Sequence, residues 1–327
     1  MAEKTVLQAL HDALWDEMER DERVVIMGED VGVRGGVFRA TEGFYERFGE
    51  ARVVDTPLAE GAIVGVAIGA AAAGLLPVAE IQFADFIYPA YDQIVSEAAR
   101  MRYRSRGAWG CPIVIRAPFG GGIHGGLHHS QCPEALFTHI PGLKVVAPST
   151  AADMAGLIKS AIRDPDPVIF FEHKKTYRSV KGEVPDGDYT VPIGKASIAR
   201  RGSDISILTY GQMLHDSLAA AERAEAEGVS VEVVDLRTLV PLDKQTILDS
   251  VGQTGKAVIV SEANLTSGFG AELAAVLSAE AFDCLDGPIM RVASPDIPAM
   301  PYDDAMEEFC LPNPDKILDA LRALAAY

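Results

Sequence analysis

A chain of 327 residues carries a formal net charge of −18 and is 48% apolar but only 7% aromatic. That length suits two α/β domains rather than one small core, and the core must be aliphatic and alanine-rich. So acidic a surface repels phosphate backbones and anionic lipid, which argues against nucleic-acid and membrane roles and favours a basic protein partner.

The chain starts MAEKTVLQALHDALWDEM, with early acids and no apolar run, so no secretory signal is expected. Val6, Leu10, Leu14 and Met18, spaced in fours, predict an amphipathic helix. RVVIMGED (23–30) reads as a buried strand. Residues 61–79, GAIVGVAIGAAAAGLLPVA, hold no charge and are nearly long enough to span a bilayer. Gly and Ala dominate that stretch, Pro77 interrupts it, Glu60 and Glu80 flank it, and no basic residue anchors it. The better reading is a helix buried on all sides, with Gly61, Gly65, Gly69 and Ala73 forming a stripe open to another backbone. A strand within 77–86 follows, then a helix over 90–107 ended by Gly107, and strands within 111–122, 143–149 and 167–172. Strands that are apolar throughout and separated by helices indicate a parallel sheet covered on both faces. The pattern breaks into a polar, turn-rich stretch between about 174 and 202. The second half restarts with strands at DISILTYG, VSVEVVDLRTLVPLD, KAVIVSEA and IMRVASPD, and with helices at MLHDSLAAAERAEAEG, AELAAVLSAEAF and DKILDALRALAAY. Cys111, Cys132, Cys284 and Cys310 show no CxxC spacing, so reduced thiols in a cytoplasm are expected.

In open α/β sheets ligands sit beyond the carboxyl ends of strands, which marks 55–61, 82–89, 117–131 and 262–270 as site walls. APFGGGIHGGLHHSQCPEA (117–135) gathers His124, His128 and His129 in a loop with five glycines. The HxxxHH spacing is weak for zinc; glycines that let backbone approach a ligand favour a catalytic loop. Glu60 opens the small-residue helix. It is either a first-turn glutamate favoured by the helix dipole or a carboxyl whose proton affinity rises among Leu58, Ala59, Ile63 and Val64.

TPLAE, AEIQFADFIYPAYDQIVSEAARMRYRS, HGGLHHSQCPEALF, HIPGLKVVAPST and AIRDPDPVIFFE strongly resemble the β subunits of thiamine-diphosphate-dependent 2-oxo acid dehydrogenases, over essentially the whole chain. EIQFADF, HSQCPEALF and VIFFEHKKTYR favour the branched-chain (2-oxoisovalerate) type. The resemblance implies two three-layer α/β domains with mainly parallel sheets: a transketolase-like pyrimidine-binding domain over 1–180, a linker over 181–200, and a transketolase C-terminal-like domain over 201–327. It implies oxidative decarboxylation of a 2-oxo acid and reductive acylation of a lipoyl group on a dihydrolipoamide acyltransferase.

For the site, the resemblance implies that Glu60 bonds a pyrimidine nitrogen and that Leu58, Gln82 and Phe86 contact the ring. Phe86 stands where mammalian branched-chain chains carry tyrosine, so no hydroxyl is available there. His129 matches a histidine that faces substrate and lipoyl group and donates a proton; His124 matches a second histidine, with a structural role. Ile113, Val114, Ala161, Asp164 and Asp166 match a potassium site built largely from carbonyl oxygens. One absence is informative. The family binds diphosphate through magnesium held by GDG and later asparagines, yet this chain has only Asn264 and Asn313, and its sole Gly-Asp (187–188) continues with Tyr189. An α subunit is therefore expected to hold the magnesium in a heterotetramer of two α and two β chains. Two further readings stand beside this one: a pyruvate or acetoin type, and a non-catalytic scaffold, which retention of Glu60 and His129 disfavours.

Overall fold

Thr5 starts the first helix, Val6–Arg20, with a capping box: its hydroxyl accepts the Gln8 N–H while the Gln8 side chain accepts the Thr5 N–H. In the computed structural model, which describes residues 1–327, this helix buries Val6, Leu10, Leu14 and Met18 as the spacing predicts. Glu17 shares that buried face, and Arg163 and Arg20 donate to its carboxylate. The partner element is Ala151–Ile162, a helix with no counterpart among the sequence expectations, whose Met154, Leu157 and Ile158 complete the same core.

The strands in chain order are β1 (Ala2–Thr5), β2 (Val24–Gly28), β3 (Val53–Asp55), β4 (Leu76–Glu80), β5 (Val114–Phe119), β6 (Lys144–Val146), β7 (Val168–His173), β8 (Lys181–Val184), β9 (Ser197–Arg200), β10 (Ile205–Thr209), β11 (Val231–Asp235), β12 (Thr238–Val240), β13 (Ala257–Asn264) and β14 (Met290–Ser294). Contacts divide the chain into two units, residues 1–119 with 136–193 and residues 120–135 with 194–327. In the first, β6-β7-β5-β4-β2-β3 run parallel in that order, and β2, β5 and β7 are buried at every position. In the second, β14-β13-β10-β11 run parallel and β9 closes the edge antiparallel to β11.

Three expectations need correction. Residues 90–107 are not one helix: a 3-10 turn at Tyr88–Ala90 and a π turn at Gln93–Ala98 precede a short helix, Met101–Arg104, and both Arg106 and Gly107 adopt positive φ. Residues 181–200 are not a bare linker. β8 pairs antiparallel with β1, and β9 joins the second sheet, because edge backbone needs partners that a polar stretch supplies as well as an apolar one. The histidine-rich stretch 120–135 groups with the second unit, for reasons given below.

The small-residue helix is Glu60–Ala72. Its 13 residues span about 20 Å, short of a bilayer core, and no helix is long and apolar enough to cross a membrane. Ile63, Val64, Ala67, Ile68 and Ala71 are buried, whereas Ala62, Val66 (60% exposed), Gly69 and Ala72 are not, so the chain alone covers one face only. The stripe serves a close approach at its first half: a Cβ on Gly61 would lie 3.1 Å from the Pro89 carbonyl oxygen, and one on Gly65 3.4 Å from Gln93 Oε1. At Gly69 the space is open.

Candidate active site

Parallel pairing of β3, β2 and β4 sends their following loops to one edge of the first sheet, the edge that binds ligands in open α/β folds. After β2 come Glu29 and Asp30, the latter in a left-handed turn. After β3 come Leu58, 74% exposed, and Glu60, half-buried in the first turn of its helix. After β4 come Gln82 and Phe86, both half-buried, with Phe86 on a 3-10 turn, Ala84–Phe86. Asp55 accepts the Gly32 N–H at 2.6 Å and Gly28 accepts the Thr56 N–H at 2.9 Å, tying the first two loops together.

The N-cap of the Glu60 helix is Ala59, which offers no side-chain acceptor, so Glu60 supplies the only acid facing that first turn. A second carboxylate, Glu29, shares its neighbourhood. Burial raises the Glu29 carboxyl above its ordinary value, and the charges of Glu60 and Asp30 raise it further. Sequence reasoning missed Glu29, although its place at the end of β2 was a signal.

Beneath this edge lies a buried charge cluster. Arg116 on β5 donates to Glu80 on β4 (Nη1–Oε2, 2.5 Å) and bidentately to Glu172 on β7 (2.6 and 2.8 Å), and all three are essentially inaccessible. The Tyr177 hydroxyl donates to Glu172. The two carboxylates hold Arg116 firmly charged against the cost of burial. From Tyr177 a chain of aromatic contacts, the first tilted and the next two edge-to-face, runs through Phe38 and Phe83 to Phe86, with centroids 5.1, 5.8 and 6.1 Å apart. Phe86 is thus seated on packed rings rather than on a free loop.

In the second unit the histidine loop wraps around carboxylates. Glu262 on β13 accepts the Gly121 N–H and stands 3.5 Å from Cys132 Sγ. Glu307, on the helix Asp304–Cys310, accepts the Gly122 and His124 N–H groups at 2.9 and 3.3 Å. His124 Nδ1 lies 3.0 Å from Asp304 Oδ1 and 3.1 Å from Glu307 Oε2. Gly120 N–H donates to the Gln131 carbonyl at 3.0 Å, closing the neck of the loop. At its far end the Tyr210 hydroxyl donates to Glu134 at 2.6 Å, and burial pushes that carboxyl up to about 7. These bonds are why 120–135 groups with the second unit. Between them sits His129, half-buried at the end of the 3-10 turn Gly126–His128. The glycines admit internal carboxylates to the backbone, a use the sequence reading assigned to an external ligand.

Structure therefore gathers Leu58, Glu60, Gln82 and Phe86 on adjacent loops of one unit and places His124 and His129 in the other. The five residues of the potassium set all lie in the first unit. Both oxygens of Asp164 lie 2.6 Å from Lys144 Nζ, and Asp166 takes Arg102 Nε at 2.5 Å. The Ile113 carbonyl accepts the Val168 N–H, and the Ala161 carbonyl accepts that of Asp164. Two protein cations already pair with those carboxylates, so a potassium ion here would rest on carbonyl oxygens, each of which keeps a second lone pair. No group of three or more His, Cys, Asp or Glu is placed to hold a metal.

Comparison with known proteins agrees with this layout. The transketolase pyrimidine-binding domain matches residues 2–180 and the transketolase C-terminal domain residues 194–317. A solved chain described as a split-gene transketolase, inactive β4 tetramer, superposes with a TM-score of 0.80 over 98% of both chains at 24% identity, a likeness of fold. The 2-oxoisovalerate dehydrogenase subunit beta of Bacillus subtilis (strain 168) is 56% identical over 100% of both chains. The pyruvate dehydrogenase E1 component subunit beta of the same organism is 50% identical over the same extent, and that of Staphylococcus aureus (strain N315) 49% identical over 98%. Full-length identity at this level, on two transketolase-type domains, means that the chain belongs to the β subunits of the 2-oxo acid dehydrogenases.

Proposed function

We propose that the chain is the β subunit of a branched-chain 2-oxo acid dehydrogenase and supplies the pyrimidine half of a thiamine diphosphate site completed by an α subunit. The observation that carries this reading is Glu60, an acid in an uncapped first turn, at the same sheet edge as Gln82 and Phe86. These residues fit the group: an acceptor for a ring nitrogen, a polar neighbour, and an aromatic side chain backed by packed rings. Thiamine diphosphate, when bound, supplies the carbon nucleophile and the electron sink for decarboxylation.

This chain's residues orient and move protons. Glu60 holds a proton shared with the pyrimidine nitrogen, beside Glu29, whose carboxyl is raised by burial and by the Glu60 charge. Phe86 fixes the ring plane by packing, without a hydroxyl. Leu58 adds an apolar contact for the ring, and the uncovered face at Ala62 and Val66 offers apolar contact to the α subunit. His129 donates a proton to the sulfur released as the dithiolane opens, while the other sulfur takes the acyl group. Magnesium and the diphosphate belong to the α subunit, since this chain lacks the GDG segment and its asparagines. The assembly is read as two α and two β chains in the cytoplasm, feeding a lipoylated acyltransferase whose basic module suits an acidic surface.

Co-expression with an α chain tests this directly. A stable complex that turns over 2-oxoisovalerate faster than pyruvate supports it, and Glu60→Gln lowers decarboxylation at least about a hundredfold. Tight cofactor binding and turnover by the isolated chain would sink the shared-site reading. Preference for pyruvate would select the second reading, with which the 50% identical pyruvate dehydrogenase subunit is compatible.

A further inference from the structure

Gly120, Gly122 and His124 alternate into the left-handed region, with φ of +85°, +74° and +56°. Backbone of that kind turns successive N–H groups toward one concave, anion-seeking side. Here the anions are internal: Glu262 takes Gly121, and Glu307 takes Gly122 and His124 with separate oxygens while facing the His124 ring. Glu307 is only 2% exposed, although Met306 and Phe309 on the same short helix point to solvent. A carboxylate is buried in place of apolar neighbours only where donors replace its water. The loop's amides are those donors. His124, a non-glycine residue at positive φ, is held there by its N–H bond to Glu307, whose Oε2 also lies 3.1 Å from the ring Nδ1.

The loop is pinned again at Glu134 by Tyr210, which leaves His129 between two fixed points. We propose that Glu307 is a positioning residue for the histidine loop, setting where His129 can reach. The proposal rests on the reading of His129 as the acid in lipoyl acylation, and the Glu307 anchor stands or falls separately.

The test uses the chain assembled with its α subunit, a lipoyl domain as acceptor, and the variants Glu307→Gln and Glu307→Asp. Amide hydrogen exchange at Gly122 and His124 is expected to quicken at least about tenfold in Glu307→Gln, since bonds to a charged acceptor are the stronger kind. Glu307→Asp, which keeps the charge, restores part of that protection. Reductive acylation of the lipoyl domain is expected to fall at least about fivefold relative to decarboxylation read with an artificial electron acceptor, because misplacing an acid by a fraction of an ångström slows its own step. Unchanged exchange overturns the anchor. Faster exchange with both activities falling in parallel overturns positioning in favour of a general folding role. If His129→Asn also leaves the ratio of the two activities unchanged, the His129 reading fails, and with it the positioning role, while the exchange result still reports the anchor.

Discussion

Glu134→Gln separates the effect of a buried charge from the effect of a side chain's shape. Glu134 is fully inaccessible; one oxygen accepts from Tyr210 and the other has no hydrogen-bond partner. Burial raises its carboxyl from an ordinary 4.5 to about 7, and the negative charge of Glu262 adds to the rise. Between those values the folded chain keeps a proton that the unfolded chain has released, so stability falls as pH rises. The loss begins near the unfolded value and is complete once pH passes the folded one. Over the interval it amounts to about 3 kcal/mol, at 1.36 kcal/mol per pH unit. Glutamine keeps the acceptor for Tyr210 and cannot ionise. At pH 5 the variant is expected to be close to wild type; at pH 8 it is expected to be more stable by about 3 kcal/mol. Urea unfolding of both proteins at a series of pH values reads the difference directly. A difference that stays constant from pH 5 to 8 would refute the argument, because it would mean that Glu134 titrates alike in both states.

Two further outcomes follow from packing. Arg116→Met leaves Glu80 and Glu172 buried without their cation and is expected to destabilise by about 3–5 kcal/mol, measured by denaturant unfolding. A smaller effect from that single change than from the triple change Arg116→Met, Glu80→Leu, Glu172→Leu would contradict the account. Gly142 has a φ of +100°, and a Cβ there would sit 2.0 Å from the Ala99 carbonyl oxygen. Gly142→Ala is accordingly expected to cost roughly 3 kcal/mol, seen as a lowered Tm.

Some of this was legible along the chain because it is local. Four-residue spacing of Val6, Leu10, Leu14 and Met18 reports the buried face of a helix wherever that helix packs. An unbroken apolar run such as VVIM, in β2, reports a strand covered on both faces. Glu60, Gln82 and Phe86 came from long motif matches, and their position after β3 and β4 follows the strand-end rule. The break-up of 90–107 was not legible, since its residues favour a helix and the π turn arises where the segment packs on the glycines of Glu60–Ala72.

Tertiary structure alone decided the rest. Arg116 meets Glu80 and Glu172 across neighbouring strands, and Gly122 meets Glu307 across 185 positions of sequence. Periodicity within an element says which face turns inward; it carries no information about what waits on the other side. A glycine-rich loop has the same composition whether its N–H groups await a ligand or already hold a carboxylate. Only the folded chain, where each buried donor must find an acceptor, tells the two apart.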